Sequence, residues 1–216
     1  MIKPDQQRLT GIAIFLSASI PNPLRWHGAF DALEITDAVV SAARAVFSAG
    51  GTLVTAAHPT VAPLLLYVAA ELESVDAPRV LVYQSAVFDE ILPEETLRFE
   101  AAGIGTIIRT PAAEGEPPDP ARAPRSLDIM RRQMIDETQP AAAIFIGGMG
   151  GIPVEHQLFS DLRPESPTYA FGFPGGEARS LAESTRTQSP LRERLASGTV
   201  YPAIARAVVD DIANST

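Results

Sequence analysis

A cluster of four glycines followed by a carboxylate offers the first chemistry in the chain. In AAAIFIGGMGGIPVEHQLF, residues 141–159, an apolar run ends in Gly147, Gly148, Met149, Gly150 and Gly151, and Glu155 follows one helical turn later. Glycines at the exit of a buried strand let the backbone turn sharply and bring its N–H groups to an anion, so the loop reads as a phosphate seat. If a helix resumes at Ile152, then Ile152, Glu155 and Phe159 share one face, and Glu155 turns inward among apolar neighbours. A carboxylate so placed needs a partner, for which Arg131 and Arg179 are candidates.

Other polar residues stand in unusual company. In SLDIMRRQMIDE, Ser126 suits an N-cap, and Leu127, Met130 and Met134 form an apolar stripe bordered by Arg131. Arg131 either points into a site, where it could hold phosphate, or snorkels past the stripe to solvent. Asp31 and Glu34 stand three apart at a helix start, which fits a variant of the capping box and leaves Glu34 a candidate for a ribose hydroxyl. His58, before Pro59, is either a ligand contact, an acid/base group or a hydrogen-bonded structural histidine. His27 and His156 lack metal-ligand spacing, and no metal site is expected.

These residues must be positioned by the elements around them. Apolar runs rich in β-branched residues alternate with helical periodicity: strands near Gly11 to Leu16, Thr52 to Thr55, Val80 to Tyr83, Ile104 to Arg109, Ala142 to Ile146 and Thr168 to Phe171. Helices are expected near Leu33 to Phe47, Val61 to Glu73, Pro93 to Ala101 and Leu127 to Glu137, with two or three more after the last strand. The alternation implies an α/β chain with a parallel sheet and helices on both faces, in a single domain over 1–216. Gly50 and Gly51 read as a helix C-cap, and the proline-rich loop Pro111 to Pro124 as a flexible flap. Ligands of such sheets bind beyond the carboxyl ends of the strands. Collected at that edge are Ser17, Ser19 and Arg25 after the first strand, His58 and Pro59 after the second, and Gln84 and Ser85 after the third. The glycine loop follows the fifth strand, and Gly175, Gly176 and Arg179 follow the sixth. The dinucleotide pattern G-x-G-x-x-G is missing after the first strand, which disfavours a standard NAD-dependent dehydrogenase.

Composition narrows the partners. With 17 basic and 26 acidic residues and a net charge of −9, a general electrostatic grip on nucleic acid or an anionic membrane is disfavoured. Zero cysteines exclude disulfides and thiolate chemistry and fit a cytoplasmic setting. Residues 1–21 superficially resemble a signal peptide, but Ile12 to Leu16 is too short for its apolar core. The stretch Thr52 to Leu72 contains His58, Pro59 and Pro63, which argues against a membrane span.

The motifs IFLSASIP, DALEITDAV, AAHPTVAPLLL, VYQSAVF, SLDIMRRQM, IFIGGMGGIPVEHQLF and GFPGGEAR, in this order, resemble the SLOG superfamily. Its members include the LOG phosphoribohydrolases, the Smf DNA-processing proteins, and nucleotide-sensing domains associated with TIR and sirtuin effectors or with TRPM channels. The resemblance implies a Rossmann-like three-layer sandwich with a mainly parallel, doubly wound sheet. It also implies a pocket for a nucleotide-derived ligand such as NAD, ADP-ribose or a cyclic ADP-ribose-like signal, with no further cofactor required. In LOG enzymes a PGGxGTxxE motif supplies the phosphate loop and a glutamate that assists N-glycosidic cleavage. Here Ile146 replaces the proline, Gly151 replaces the threonine, and Glu155 falls one residue late. Three functions follow: a sensor acting through a separate effector protein or a homo-oligomer, an N-glycosidic hydrolase or base-exchange enzyme using Glu155 and Arg131, or a scaffold without nucleotide.

Overall fold

Each strand exit delivers a loop to one edge of the sheet because every strand runs the same way. The computed structural model describes residues 8–71, 79–184 and 190–215. In chain order the elements are β1 (Ala13–Ser19), α1 (Ala32–Ser48), β2 (Thr52–Ala56), α2 (Ala62–Ala70), β3 (Val80–Ser85), α3 (Glu94–Ala101), β4 (Thr106–Thr110), α4 (Pro124–Thr138), β5 (Ala142–Gly147), α5 (Gly151–Leu162), β6 (Thr168–Phe171), α6 (Glu177–Ser184), α7 (Pro190–Ser197) and α8 (Tyr201–Ser215). The six strands form one all-parallel sheet in the order β4-β3-β2-β1-β5-β6. The chain order reverses between β1 and β5, which opens a crevice between their outgoing loops.

Strand alternation divides the core between two faces. Ile14, Leu16, Leu53, Val80, Val82, Ile144 and Ile146 pack with the buried stripe of α1 and with α2 and α8. Phe15, Val54, Tyr83 and Phe145 face the opposite way, toward Met130 and Met134 of α4 and Ile152 and Phe159 of α5. The ring of Phe15 stacks on Phe159 at 5.9 Å and meets Phe145 edge-on at 6.1 Å. Helices therefore cover both faces of the sheet, as the alternation implied, in a Rossmann-like architecture. No helix of the described residues is long and apolar enough to cross a membrane.

The glycine pair after α1 ends that helix as expected. Gly50 has φ +84°, its N–H reaches the Phe47 carbonyl, and the Gly51 N–H reaches Val46, which is the Schellman arrangement. Two local expectations are corrected. β1 continues to Ser19 instead of ending at Leu16, because Ser17, Ala18 and Ser19 pair with Phe145, Ile146 and Gly147 of β5. Ser126 is not the N-cap of α4: the helix begins at Pro124, the capping position is Ala123, and Ser126 is fully buried within the first turn. The predicted end of α2 at Glu73 lies outside the described residues.

The α4 start is capped from a distance. Glu116, in the loop after β4, accepts hydrogen bonds from the Arg125 N–H and Nε at 3.0 and 3.3 Å and from the Ser126 N–H and Oγ at 2.8 and 2.6 Å. Ser126 Oγ accepts in turn from the Ala113 N–H at 2.9 Å. The expected free flap is thus pinned to the helix it precedes. Burial acts to raise the Glu116 pKa, but the hydrogen bonds from Ser126 and Arg125 outweigh it and hold the carboxyl at about 2, below its ordinary 4.5. Because the folded-state value is the depressed one, this clamp contributes stability above the unfolded value and loses it as pH falls from 4.5 toward about 2. Denaturant melts through that window are expected to fall more steeply for the wild type than for Glu116→Gln; parallel curves would remove the clamp.

Candidate functional site

The crevice between β1 and β5 gathers most of the expected site. Gly147 and Gly148 leave β5 at φ +64° and +72°, and Gly148 donates its N–H to the Ser19 carbonyl at 2.7 Å. A Cβ on Gly147 would lie 2.6 Å from that carbonyl oxygen, so a side chain there would push the two loops apart. The next residues have more room: no atom lies within 4 Å of a Cβ built on Gly150. The N–H groups of Met149, Gly150 and Gly151 have no acceptor among the described residues. They stand at the start of α5, where N-cap Gly150 provides no side-chain bond and the helix dipole is positive. An anion can complete this loop.

One turn further on, Glu155 is inward as its spacing implied, with its side chain 12% exposed. Both oxygens are engaged: Oε1 accepts from Arg131 Nε at 2.8 Å, and Oε2 accepts from Ser17 Oγ at 2.5 Å. Of the two arginines considered, Arg131 is the partner, which also decides its orientation in favour of the site. Its Nη2 lies 3.4 Å from a Cβ built on Gly151, directly beside the glycine loop. The guanidinium therefore bonds Glu155 through Nε and brings positive charge to the anion seat through Nη2.

The second glycine loop supports the first. Gly175 and Gly176 have φ +87° and +67°, and a Cβ on Gly176 would lie 2.5 Å from the Gly147 carbonyl carbon. Their amides are used within the protein: Gly175 N–H reaches the Gly172 carbonyl, Gly176 N–H reaches Ala29, and Glu177 N–H reaches Gly148. Arg179 closes this loop on itself by donating to the carbonyls of Gly172 and Phe173 at 3.2 and 2.9 Å.

His58 belongs to the crevice. Burial lowers its pKa and the Glu155 carboxylate acts in the opposite sense, while the neighbouring Thr60 Oγ1 accepts from the Ile20 N–H at the exit of β1 at 3.2 Å. Its Nδ1 lies 2.9 Å from Thr60 Oγ1. Ser19 reaches the same loop, its Oγ 3.6 Å from a Cβ built on Gly148. Thr60 follows His58 and Pro59 directly in the chain, but nothing in its sequence context marks it as the imidazole's partner.

The remaining candidates are distributed differently. Gln84 shares the sheet face of Val82, opposite to Ser17, and its Nε2 donates to the Phe88 carbonyl at 2.8 Å. Ser85 is fully buried on the α4 face beside Thr110, and neither hydroxyl has a partner among the described residues. Glu34 does not close a capping box: Asp31 caps α1 by accepting from the Leu33 and Glu34 N–H groups, while Glu34 Oε2 accepts from Tyr201 OH at 2.6 Å. Arg25 and Pro59 are exposed at the rim. His156 is half-buried and packs edge-on against Phe145 at 5.3 Å.

The chain as a whole resembles known proteins in two ways. The model of the SLOG cluster3 family matches residues 25–206, which include the glycine loops, His58, Arg131 and Glu155 but not Ser17 and Ser19. The X-ray structure of TM1055, a structural-genomics target, aligns with a TM-score of 0.56 at 10% identity, covering 93% of this chain and 99% of that one, a likeness of fold alone. No curated protein matches the chain.

The two glycine loops separate packing from accessibility. Gly176→Ala forces a Cβ against rigid backbone at a left-handed φ and is expected to cost about 2 to 4 kcal/mol in a denaturant melt. Gly150→Ala, with open space around its Cβ, is expected to stay within about 0.5 kcal/mol of wild type. Equal losses would refute the buttress.

Proposed function

The chain belongs to the SLOG cluster3 family, and on that premise we propose that it binds a nucleotide-derived ligand, NAD, ADP-ribose or a cyclic ADP-ribose-like molecule, and acts as a sensor. The observation that carries the reading is the row of three unpartnered amides, Met149, Gly150 and Gly151, at the positive end of α5 with the Arg131 guanidinium beside it. Backbone donors, a helix terminus and an arginine together recognise phosphate oxygens. Sensing is favoured over turnover because each oxygen of Glu155 already accepts a hydrogen bond, from Ser17 and from Arg131, so a proton or an orienting water would have to compete with these donors. A sensor of this kind works through a separate effector protein or through its own oligomer.

One observation supports a second reading. Glu155 opposes the lowering of the His58 pKa by burial, and a carboxylate and an imidazole at the same edge of the sheet are groups an N-glycosidic hydrolase could use once a ligand displaces Ser17 or Arg131.

Titration calorimetry with ADP-ribose and NAD tests the phosphate seat. Gly151→Asp places a carboxylate beside Arg131 and in front of the free amides, and is expected to weaken binding by at least about 100-fold in a folded protein. Unchanged affinity would reject the seat.

Incubation with NAD, ADP-ribose and nucleoside monophosphates, with base release followed by chromatography, tests sensor against hydrolase. Sensing predicts no release by the wild type, and a Glu155→Gln protein that loses about 3 kcal/mol of stability because Arg131 is left without a counter-charge. Release by the wild type that falls by orders of magnitude in Glu155→Gln would establish the hydrolase instead.

A further inference from the structure

The loop after β2 contains more order than ligand contact alone requires. His58 initiates α2: its carbonyl accepts from the Val61 and Ala62 N–H groups at 3.0 and 2.9 Å, which fixes the backbone from which the imidazole projects. Thr60 then addresses the ring twice. Its backbone N–H donates to His58 Nδ1 at 3.3 Å, and its Oγ1 lies 2.9 Å from the same nitrogen. That hydroxyl oxygen also accepts from the Ile20 N–H, just beyond β1, at 3.2 Å.

These bonds determine which nitrogen holds the proton. An amide N–H can only donate, so Nδ1 must present its lone pair to Thr60. The hydroxyl oxygen accepts from Ile20 and turns its hydrogen toward Nδ1. A proton on Nδ1 would face the Thr60 N–H head-on, so both the Nδ1–H tautomer and the imidazolium are disfavoured. The nearby start of α2 opposes positive charge as well. On the other side stands Glu155 of α5, which favours the charged form but is already neutralised by Arg131. What is left is an Nε2–H with no acceptor among the described residues, within electrostatic reach of the Ser17–Glu155–Arg131 group.

We infer that Thr60 is a positioning residue that fixes His58 as the neutral, Nε2-protonated tautomer, so that the β2 loop offers a bound nucleotide one uncharged donor for an oxygen acceptor. The inference rests on the nucleotide reading above and adds a specificity rule to it. At this point the ligand must present an acceptor lone pair, an oxygen in this proposal, since an amino group would meet an N–H. A donor that carries no charge also keeps its strength while the pH crosses the ordinary histidine range.

Two measurements test it separately. The first is side-chain nitrogen NMR of the free, isotope-labelled protein from about pH 5 to about pH 8, covering its three histidines. His58 is expected to show an unprotonated Nδ1 and a protonated Nε2 in the wild type and in Thr60→Ser. In Thr60→Val, which keeps the amide donor and loses the hydroxyl, the Nε2–H preference is expected to weaken and the pKa to rise, still held below the ordinary value by burial. The second is calorimetric titration with ADP-ribose at both ends of that range, with the melting temperature recorded for each variant. Affinity is expected to be flat with pH in the wild type, about tenfold weaker and pH-dependent in Thr60→Val, and restored in Thr60→Ser. An Nδ1–H tautomer or an imidazolium at neutral pH in the wild type would overturn the lock even with binding intact. A folded Thr60→Val protein with wild-type spectra and affinity would overturn it too. Failure of ADP-ribose and NAD to bind any of the three proteins would end the nucleotide reading and its specificity rule, with the spectra still deciding the tautomer.

Discussion

A carboxylate taken largely out of water at the carboxyl edge of the sheet sets the terms for the rest of the site. Glu155 loses hydration by standing among Ile152, Phe159 and the sheet, and recovers it only if both oxygens find donors. Those donors come from different layers: Ser17 from the sheet, Arg131 from α4, and the carboxylate itself from α5. The three elements consequently cannot slide past one another without leaving a charge unpaired. Arg131 is the member with capacity to spare, since a guanidinium has five donor hydrogens and Glu155 uses one edge. The same interaction that secures the helices also aims positive charge at the glycine loop.

The glycine loops divide their labour in a way that residue type alone does not show. Gly147 and Gly176 are sites of backbone contact, where any side chain would separate β1, β5 and the loop after β6. Gly150 and Gly151 stand in more open surroundings, and their amides have nothing to bond within the described residues. One pair therefore makes the crevice narrow and the other leaves it chemically unsatisfied. Their position at the reversal of strand order, between β1 and β5, is where a doubly wound sheet separates its outgoing helices to opposite faces.

Much of this was legible from local pattern. Alternating β-branched runs and helical stripes gave six strands and the helices between them; i, i+3 and i+4 spacing turned Glu155 inward; Gly50 and Gly51 marked a helix end. What escaped local reading was the choice of distant partner. Ser17 and Ser19 look like loop residues until β5 pairs with them. Glu34 looks like part of a cap until Tyr201, near the other end of the chain, takes its carboxylate. Gln84 faces away from Ser17, a fact that strand alternation from Val82 already contained. His58 carried three open readings, and its ring chemistry depended on Thr60 and Ile20.

Glu116 has a consequence for how the molecule opens. An ordinary N-cap is adjacent to its helix, so the first turn can fray and re-form by itself. Here the first turn of α4 depends on a carboxylate nine and ten residues upstream of the amides it caps, across a segment containing Pro117, Pro118 and Pro120. The amide hydrogens of Arg125 and Ser126 are consequently protected by a carboxylate carried on the loop and not by a residue adjacent to the helix. The end of a helix that also supplies Arg131 to the crevice is thereby tied to a proline-rich loop.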